Sequence, residues 1–190
     1  YYLMIDTWPS PTCIPNFNLD IIDVTPSYVP VSSFPFMETF ESGMLPDEMT
    51  VITGGNCDVS ATMDAAYNGS YGAQYAGGTF SGYGTYSNGD DAFNNNTTHV
   101  AQTQIQVQPD GSAGLLWMKF FLKQQWTYNV NYTWFRVKVN GVPVADYNNG
   151  TIYPRPNDRE NDPFVEWEYD LTPWQNDPSF IVTIESCNKY

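Results

Sequence analysis

The sequence predicts an all-β protein built as a two-sheet antiparallel β-sandwich. Three observations carry that reading. Short runs of β-formers recur at sandwich spacing with turn residues between them. Aromatics make up 16% of the 190 residues, with 14 Tyr, 11 Phe and 6 Trp, while Asn, Thr, Gly and Ser fill the intervals. Helical periodicity is almost absent, the one amphipathic stretch being "VSATMDAAY" (59–67), which Asn68-Gly69 curtails.

Taken in order, "YYLMID" and "FNLDIIDV" are two short β-rich runs separated by the Pro-rich turn "TWPSPTCIPN". "TQIQVQ" (103–108) alternates Gln with Thr, Ile and Val, the pattern of a half-buried strand, which "PDGSAG" stops. "LLWMKFFLKQQ" (115–125) is apolar almost throughout, as expected of a central strand covered on both faces. In "WFRVKVNGVPVADY" (134–147), Asn140-Gly141 sits between two alternating runs and predicts a type I′ hairpin. "FVEWEYDL" (164–171) and "SFIVTIES" (179–186) are two further strands joined by "TPWQNDP". Two stretches, 75–100 and 147–163, read as long loops rich in Gly, Asn, Ser, Pro or charge.

Charge narrows the function. Seven Lys and Arg stand against 21 Asp and Glu, a formal net charge of −14. That is no footprint for nucleic acid, and it disfavours anionic membrane surfaces. No apolar run approaches the roughly 18 residues of a membrane-spanning helix, so no membrane insertion is expected. An acidic β-rich chain suits calcium, whose ligands are carboxylate and carbonyl oxygens. The opening "YYLMIDTW" has no basic start and no cleavage site, so the chain is expected to be an internal piece of something larger. Three cysteines, Cys13, Cys57 and Cys187, are too few for a disulfide-built scaffold. Outside the cytoplasm one pair can form, whereas in a reducing compartment all three are small buried residues.

Catalytic patterns are missing. The one histidine, His99, has no G-x-S-x-G elbow to serve, and HExxH, P-loop and GxGxxG motifs do not occur. Glu166 and Glu168 alternate with Val165 and Trp167 as on an ordinary solvent face, and not as a hydrolytic carboxylate pair. The expectation is a protein that is not an enzyme.

Two stretches hold candidate binding residues. "SSFPFMETFESGMLPDEMTV" (32–51) packs Phe34, Phe36, Met37 and Phe40 around Glu38 and Glu41 before Gly43 and Pro46 break it. Either the two acids are solvent-facing members of an alternating edge strand, or one is held inward to grip a cation. "QQWTYNVNYTWF" (124–135) alternates Trp126, Tyr128, Tyr132 and Trp134 with Thr127, Asn129, Asn131 and Thr133. Rings flanked by amides suit stacking on sugars and hydrogen bonding to their hydroxyls, and they equally suit cross-strand packing. Glycan acceptors would be Asn68, Asn95, Asn96, Asn131 and Asn149 in a eukaryotic secretory route.

"FPFMETFESGMLPDEMTV" (34–51) resembles the F-x-E-x-F-E-x-G-x-x-P-x-x-W/F-T start of MAM-like, cleaved-adhesin-type jelly-roll modules, found in large proteins exported by the type IX pathway of bacteria. The resemblance continues in order through "MDAAYNGSYGAQYAG", "AGLLWMKFFL", "WFRVKVNGVPV", "FVEWEYDLTPW" and "FIVTIES", covering about residues 34 to 187. Met49 stands where the family has an aromatic, and the family's last L/I-D-D-I strand has no counterpart before "ESCNKY" ends the chain. Residues 1–25 resemble the last strands of a pre-peptidase C-terminal-like β-domain, with 26–33 as linker and 34–190 as the jelly-roll module lacking its final strand. Alternatively the N-terminal hairpin completes the second module's sheets.

The resemblance implies a jelly-roll of concanavalin or galactose-binding-like type, with calcium held by Glu41 and by Asp64 of "TMDAA". It confines Cys57 and Cys187 to one domain, which makes them the implied disulfide. It also implies a non-catalytic module of a bacterial cell-surface adhesin or filament, extracellular, with carbohydrate, host matrix or neighbouring modules as partners. The alternative is an accessory substrate-binding domain of a secreted peptidase or glycoside hydrolase.

Overall fold

The computed structural model describes residues 27–52, 57–76, 100–112, 114–123, 133–146, 153–154 and 163–188. Within them the protein is all-β and its named strands all pair antiparallel. The largest sheet has six strands: β1 (Thr50–Val51), β4 (Val100–Val107), β10 (Phe180–Asn188), β6 (Thr133–Val139) and β7 (Val142–Pro143) in that spatial order, with β8 (Tyr153–Pro154) also on β6. Two smaller sheets are hairpin-like pairs, β2 (Asp58–Thr62) with β3 (Gly72–Ala76), and β5 (Trp117–Leu122) with β9 (Val165–Asp170).

Period-two alternation decides which side of the large sheet is apolar. In β4, β10 and β6 the register aligns Ile105 with Val182 and Val139, and Thr103 with Ile184 and Val137. These residues, with Val107, Phe180 and Phe135, form one face. The β5–β9 pair packs on it through Met118, Phe120, Trp167 and Tyr169. Phe135 is the contact between layers, edge-on to Phe120 at 6.3 Å and to Trp167 at 5.0 Å, the T-shaped geometry that ring quadrupoles favour. The β2–β3 pair lies against the same face further along, where Cys57 and Val59 pack on Ala101 and the Tyr75 hydroxyl bonds Thr103 Oγ1. The result is a sandwich of one broad sheet against two narrow ones.

The opposite face of the broad sheet is polar and yet largely buried. Glu185, 2% exposed, accepts ion pairs from Arg136 and, at 2.6 Å, from Lys138 Nζ. Gln102 and Thr183 are buried on the same side, and the Tyr28 hydroxyl donates to Gln104 Oε1. A charge taken this far from water persists because it is paired.

The turns follow their chemistry. Asn140 (φ 50°) and Gly141 (φ 80°) both take the left-handed region, as a type I′ turn demands, and Val139 pairs with Val142 across it. Asp110 Oδ1 accepts the Ser112 hydroxyl at 2.6 Å and the Ser112 N–H at 2.8 Å in the "PDGSAG" turn, and those bonds, the hydroxyl first, hold its carboxyl below the usual range. A 3-10 turn (Thr172–Trp174) ends β9, where Asp170 Oδ1 accepts the Thr172 N–H at 2.9 Å and Leu171 N–H bonds Leu116 O.

Three expectations need correction. "VSATMDAAY" is no helix: its first half is β2, and Met63 to Ala65 turn the chain, because the β-branched and small residues find a partner strand in β3. Residues 32–49 form no edge strand but a succession of turns, with Phe40 at φ 62° and Gly43 at φ 73°. And β5 is not covered on both faces. Its residues alternate between exposed and half-buried, and among the described residues its only partner is β9.

Candidate functional site

Glu38 and Glu41 of the 32–51 segment both bind backbone N–H groups. Glu38 accepts the N–H of Phe40, which steadies that residue in a conformation bulky side chains rarely adopt. Glu41 reaches 29 residues ahead, its Oε1 and Oε2 accepting the Ser70 N–H at 2.9 and 3.0 Å, and Oε1 also the Tyr71 N–H at 3.0 Å. Consecutive N–H groups converging on one carboxylate form an anion-holding nest, with Glu41 as the anion. Glycines make the approach possible. Gly69 (φ 132°) lies so close to the Glu41 carboxylate that a Cβ there would overlap it, and a Cβ at Gly72 would overlap the Ala65 carbonyl. The loop 63–71 is thus tied at both ends.

Asp64 lies exposed in that same loop. Among the described residues no group of three or more His, Cys, Asp or Glu is arranged to hold a metal. Glu41 and Asp64 therefore flank one loop, whose N–H groups occupy the Glu41 oxygens.

The pinned loop carries Tyr67, and Tyr67 leads to the outer face of the β5–β9 pair. Its ring stacks on Phe121 at a centroid distance of 4.2 Å and 14°, with Phe164 tilted beside it at 5.1 Å. Trp117 lies four residues back along β5, about 13 Å away on the same face at 3.3 Å per residue. Trp117, Phe121 and Tyr67 are 43%, 45% and 52% exposed. Cross-strand register sets a carboxylate opposite each β5 residue of this face: Asp170 opposite Trp117, Glu168 opposite Lys119 and Glu166 opposite Phe121. Lys119 Nζ pairs with Glu168, which raises the lysine pKa above its usual value, with Glu166 adding a smaller charge effect. The face is an aromatic platform with acids along one side.

Of the other expected site residues, Trp126, Tyr128 and Tyr132 lie outside the described residues, as does Cys13. Trp134 is in β6, its backbone opposite Cys187 and Pro154. Cys57 is buried against Ala101, and the backbone of Cys187 pairs with Val100, the neighbour of Ala101. Register thus brings the two cysteines to the same end of the broad sheet. The β5–β9 platform is missed by the sequence reading, in which 115–125 is apolar almost throughout and expected to be covered on both faces. The signal was Lys119, in phase with Trp117 and Phe121: a lysine at alternate positions to Met118 and Phe120 marks a face open to water.

Comparison with protein families, with curated proteins and with solved structures finds no match to this chain.

Proposed function

We propose that the chain is a non-catalytic, extracellular β-sandwich module of a bacterial cell-surface adhesin or filament, binding carbohydrate through the outer face of β5 and β9. The observation that carries this is the set of half-exposed rings, Trp117, Phe121 and Tyr67, held on one sheet face with carboxylates beside them. Rings present flat apolar surface to the C–H faces of sugars, and Asp170 and Glu166 supply acceptors for hydroxyls. The acidic composition and the ordered resemblance to cleaved-adhesin modules support the same reading. The jelly-roll topology belongs to the proposal as well, whereas the Glu41 oxygens are assigned to the Ser70 and Tyr71 N–H groups and not to calcium.

The platform needs Glu41 in a positioning role. By holding Ser70 and Tyr71 it fixes the loop that lays Tyr67 on Phe121, so the ligand meets an ordered surface and less entropy is lost on binding. The test is affinity electrophoresis or calorimetry of the whole chain against a panel of soluble polysaccharides. At least one should bind, and Trp117→Ala should remove binding while leaving the melting temperature nearly unchanged. A panel with no binder, or full binding by Trp117→Ala, overturns the proposal.

A further inference from the structure

We infer that the β5–β9 face selects amine-bearing sugars: its ligand is a glucosamine-type oligosaccharide with free ammonium groups, in preference to neutral or anionic glycans. This rests on the proposed carbohydrate-binding role and adds a charge to it.

The reason is the register of acids against rings. Asp170 stands directly across from Trp117, and Glu166 directly across from Phe121, which Tyr67 covers. Opposite positions on an antiparallel pair hold Cβ atoms about 4.5–5.5 Å apart, so each ring residue has an acidic residue directly across from it, and Asp170 also accepts the Thr172 N–H. Within β5 and β9 the one cation is Lys119, paired with Glu168 midway between them and 52% exposed in its side chain. Three acids against one lysine leave a net charge of −2 (1 − 3) on the outer positions of these two strands, within a chain of net charge −14. An ammonium over a ring face gains from the ring quadrupole, most with Trp, and gains again from a carboxylate within reach. The two ring–acid pairs repeat along β5, so a polymer that repeats both an apolar face and an ammonium matches them in two places at once.

An anionic glycan meets the opposite: uronate or sulfate groups would face Asp170 and Glu166, the cation within β5 and β9 is already paired with Glu168, and the next described one, Lys123, lies past the end of β5. A lysine-rich peptide shares the charge. But its flexible side chains offer no flat C–H face to lie along the rings.

The experiment is calorimetry of the whole chain with oligomers of glucosamine, the same oligomers fully N-acetylated, an oligouronate, and oligolysine, at mildly acidic pH and low salt. The glucosamine oligomer should bind about tenfold or more tightly than its N-acetylated form, a difference of about 1.4 kcal/mol. Its affinity should fall as salt is raised. The double variant Glu166→Gln, Asp170→Asn should erase that preference while still binding the N-acetylated form, which keeps the rings. Equal binding of the two oligomers overturns the selectivity but leaves the carbohydrate platform standing. Oligolysine binding as tightly as the glucosamine oligomer overturns it in favour of a general polycation surface. Failure of every sugar to bind overturns both readings.

Discussion

Replacing Glu41 by alanine should loosen the loop that completes the platform, and the size of the effect follows from its bonds. The carboxylate accepts two backbone donors, Ser70 N–H at 2.9 Å and Tyr71 N–H at 3.0 Å. A hydrogen bond to a charged group contributes roughly 1.5–3 kcal/mol when shielded. Here the carboxylate is exposed and water replaces it in part, so the pair together contributes about 1–2 kcal/mol. For a chain of this size each kcal/mol moves the melting temperature by about 2–4 °C, so Glu41→Ala should melt about 2–8 °C lower. Glu41→Gln keeps one carbonyl oxygen and should lose less. Differential scanning calorimetry measures the shift, and the near-ultraviolet circular dichroism of the Tyr67–Phe121 stack reports the loosened loop. Melting within about 1 °C of the parent, with that signal unchanged, would refute the reasoning, because it would mean that the two N–H groups are served equally well by water. Calcium can be separated in the same experiment. Since N–H donors occupy the Glu41 oxygens, chelator should leave the parent's melting unchanged. A chelator-sensitive melt that Glu41→Ala abolishes would instead add a cation to the site.

Other perturbations have distinct signs. Glu185→Ala leaves Arg136 and Lys138 without their acid on a buried face and should cost about 3–5 kcal/mol by urea unfolding, whereas Arg136→Met with Glu185→Leu together should cost far less. Tyr169→Phe removes a buried hydroxyl that has no hydrogen-bond partner among the described residues and should be neutral or stabilising, while Tyr75→Phe removes a hydroxyl bonded to Thr103 and should destabilise by about 1 kcal/mol. Burial raises the pKa of both tyrosines from 10.0, the charge of Asp146 adding to it at Tyr169. With the folded value above the unfolded one, their contribution is fully present below pH 10 and is lost as pH rises beyond it. Alkaline titration should therefore show the phenolate absorbance of these two tyrosines, compared with the Tyr75→Phe and Tyr169→Phe variants, appearing together with unfolding. Gly72→Ala drives a Cβ into the Ala65 carbonyl and should cost about 3 kcal/mol or prevent folding, as read by soluble yield and urea midpoint.

What could be read from the sequence was what is local. Strands β4, β6, β9 and β10 and the Asn140-Gly141 turn were legible because alternation and turn chemistry act over a few residues. The 32–51 segment was not, because Glu38 and Glu41 look the same on an edge strand or in a turn. What distinguishes them is a bond from Glu41 to residues 29 and 30 positions away. The platform was half legible. Its acids at 166 and 168 were placed on a solvent face from their alternation, but the apolar run 115–122 hid the fact that only one of its faces meets the core. Whether a strand lies inside a sheet or at its margin depends on how many strands the rest of the chain supplies, and no short window contains that. "VSATMDAAY" was misread for a related reason, since a strand whose partner follows a nine-residue connection carries the same small residues as a short helix.

The central claim, that ligand meets the face of Trp117, Phe121 and Tyr67, is tested most directly by cross-saturation nuclear magnetic resonance with a bound oligosaccharide. Saturation of the sugar should attenuate the signals of Trp117, Phe121 and Tyr67, with Trp167 and Phe135 in the core unaffected. Attenuation confined to Trp126, Tyr128, Tyr132 and Trp134 would contradict the account and assign binding to the stretch that leads into β6.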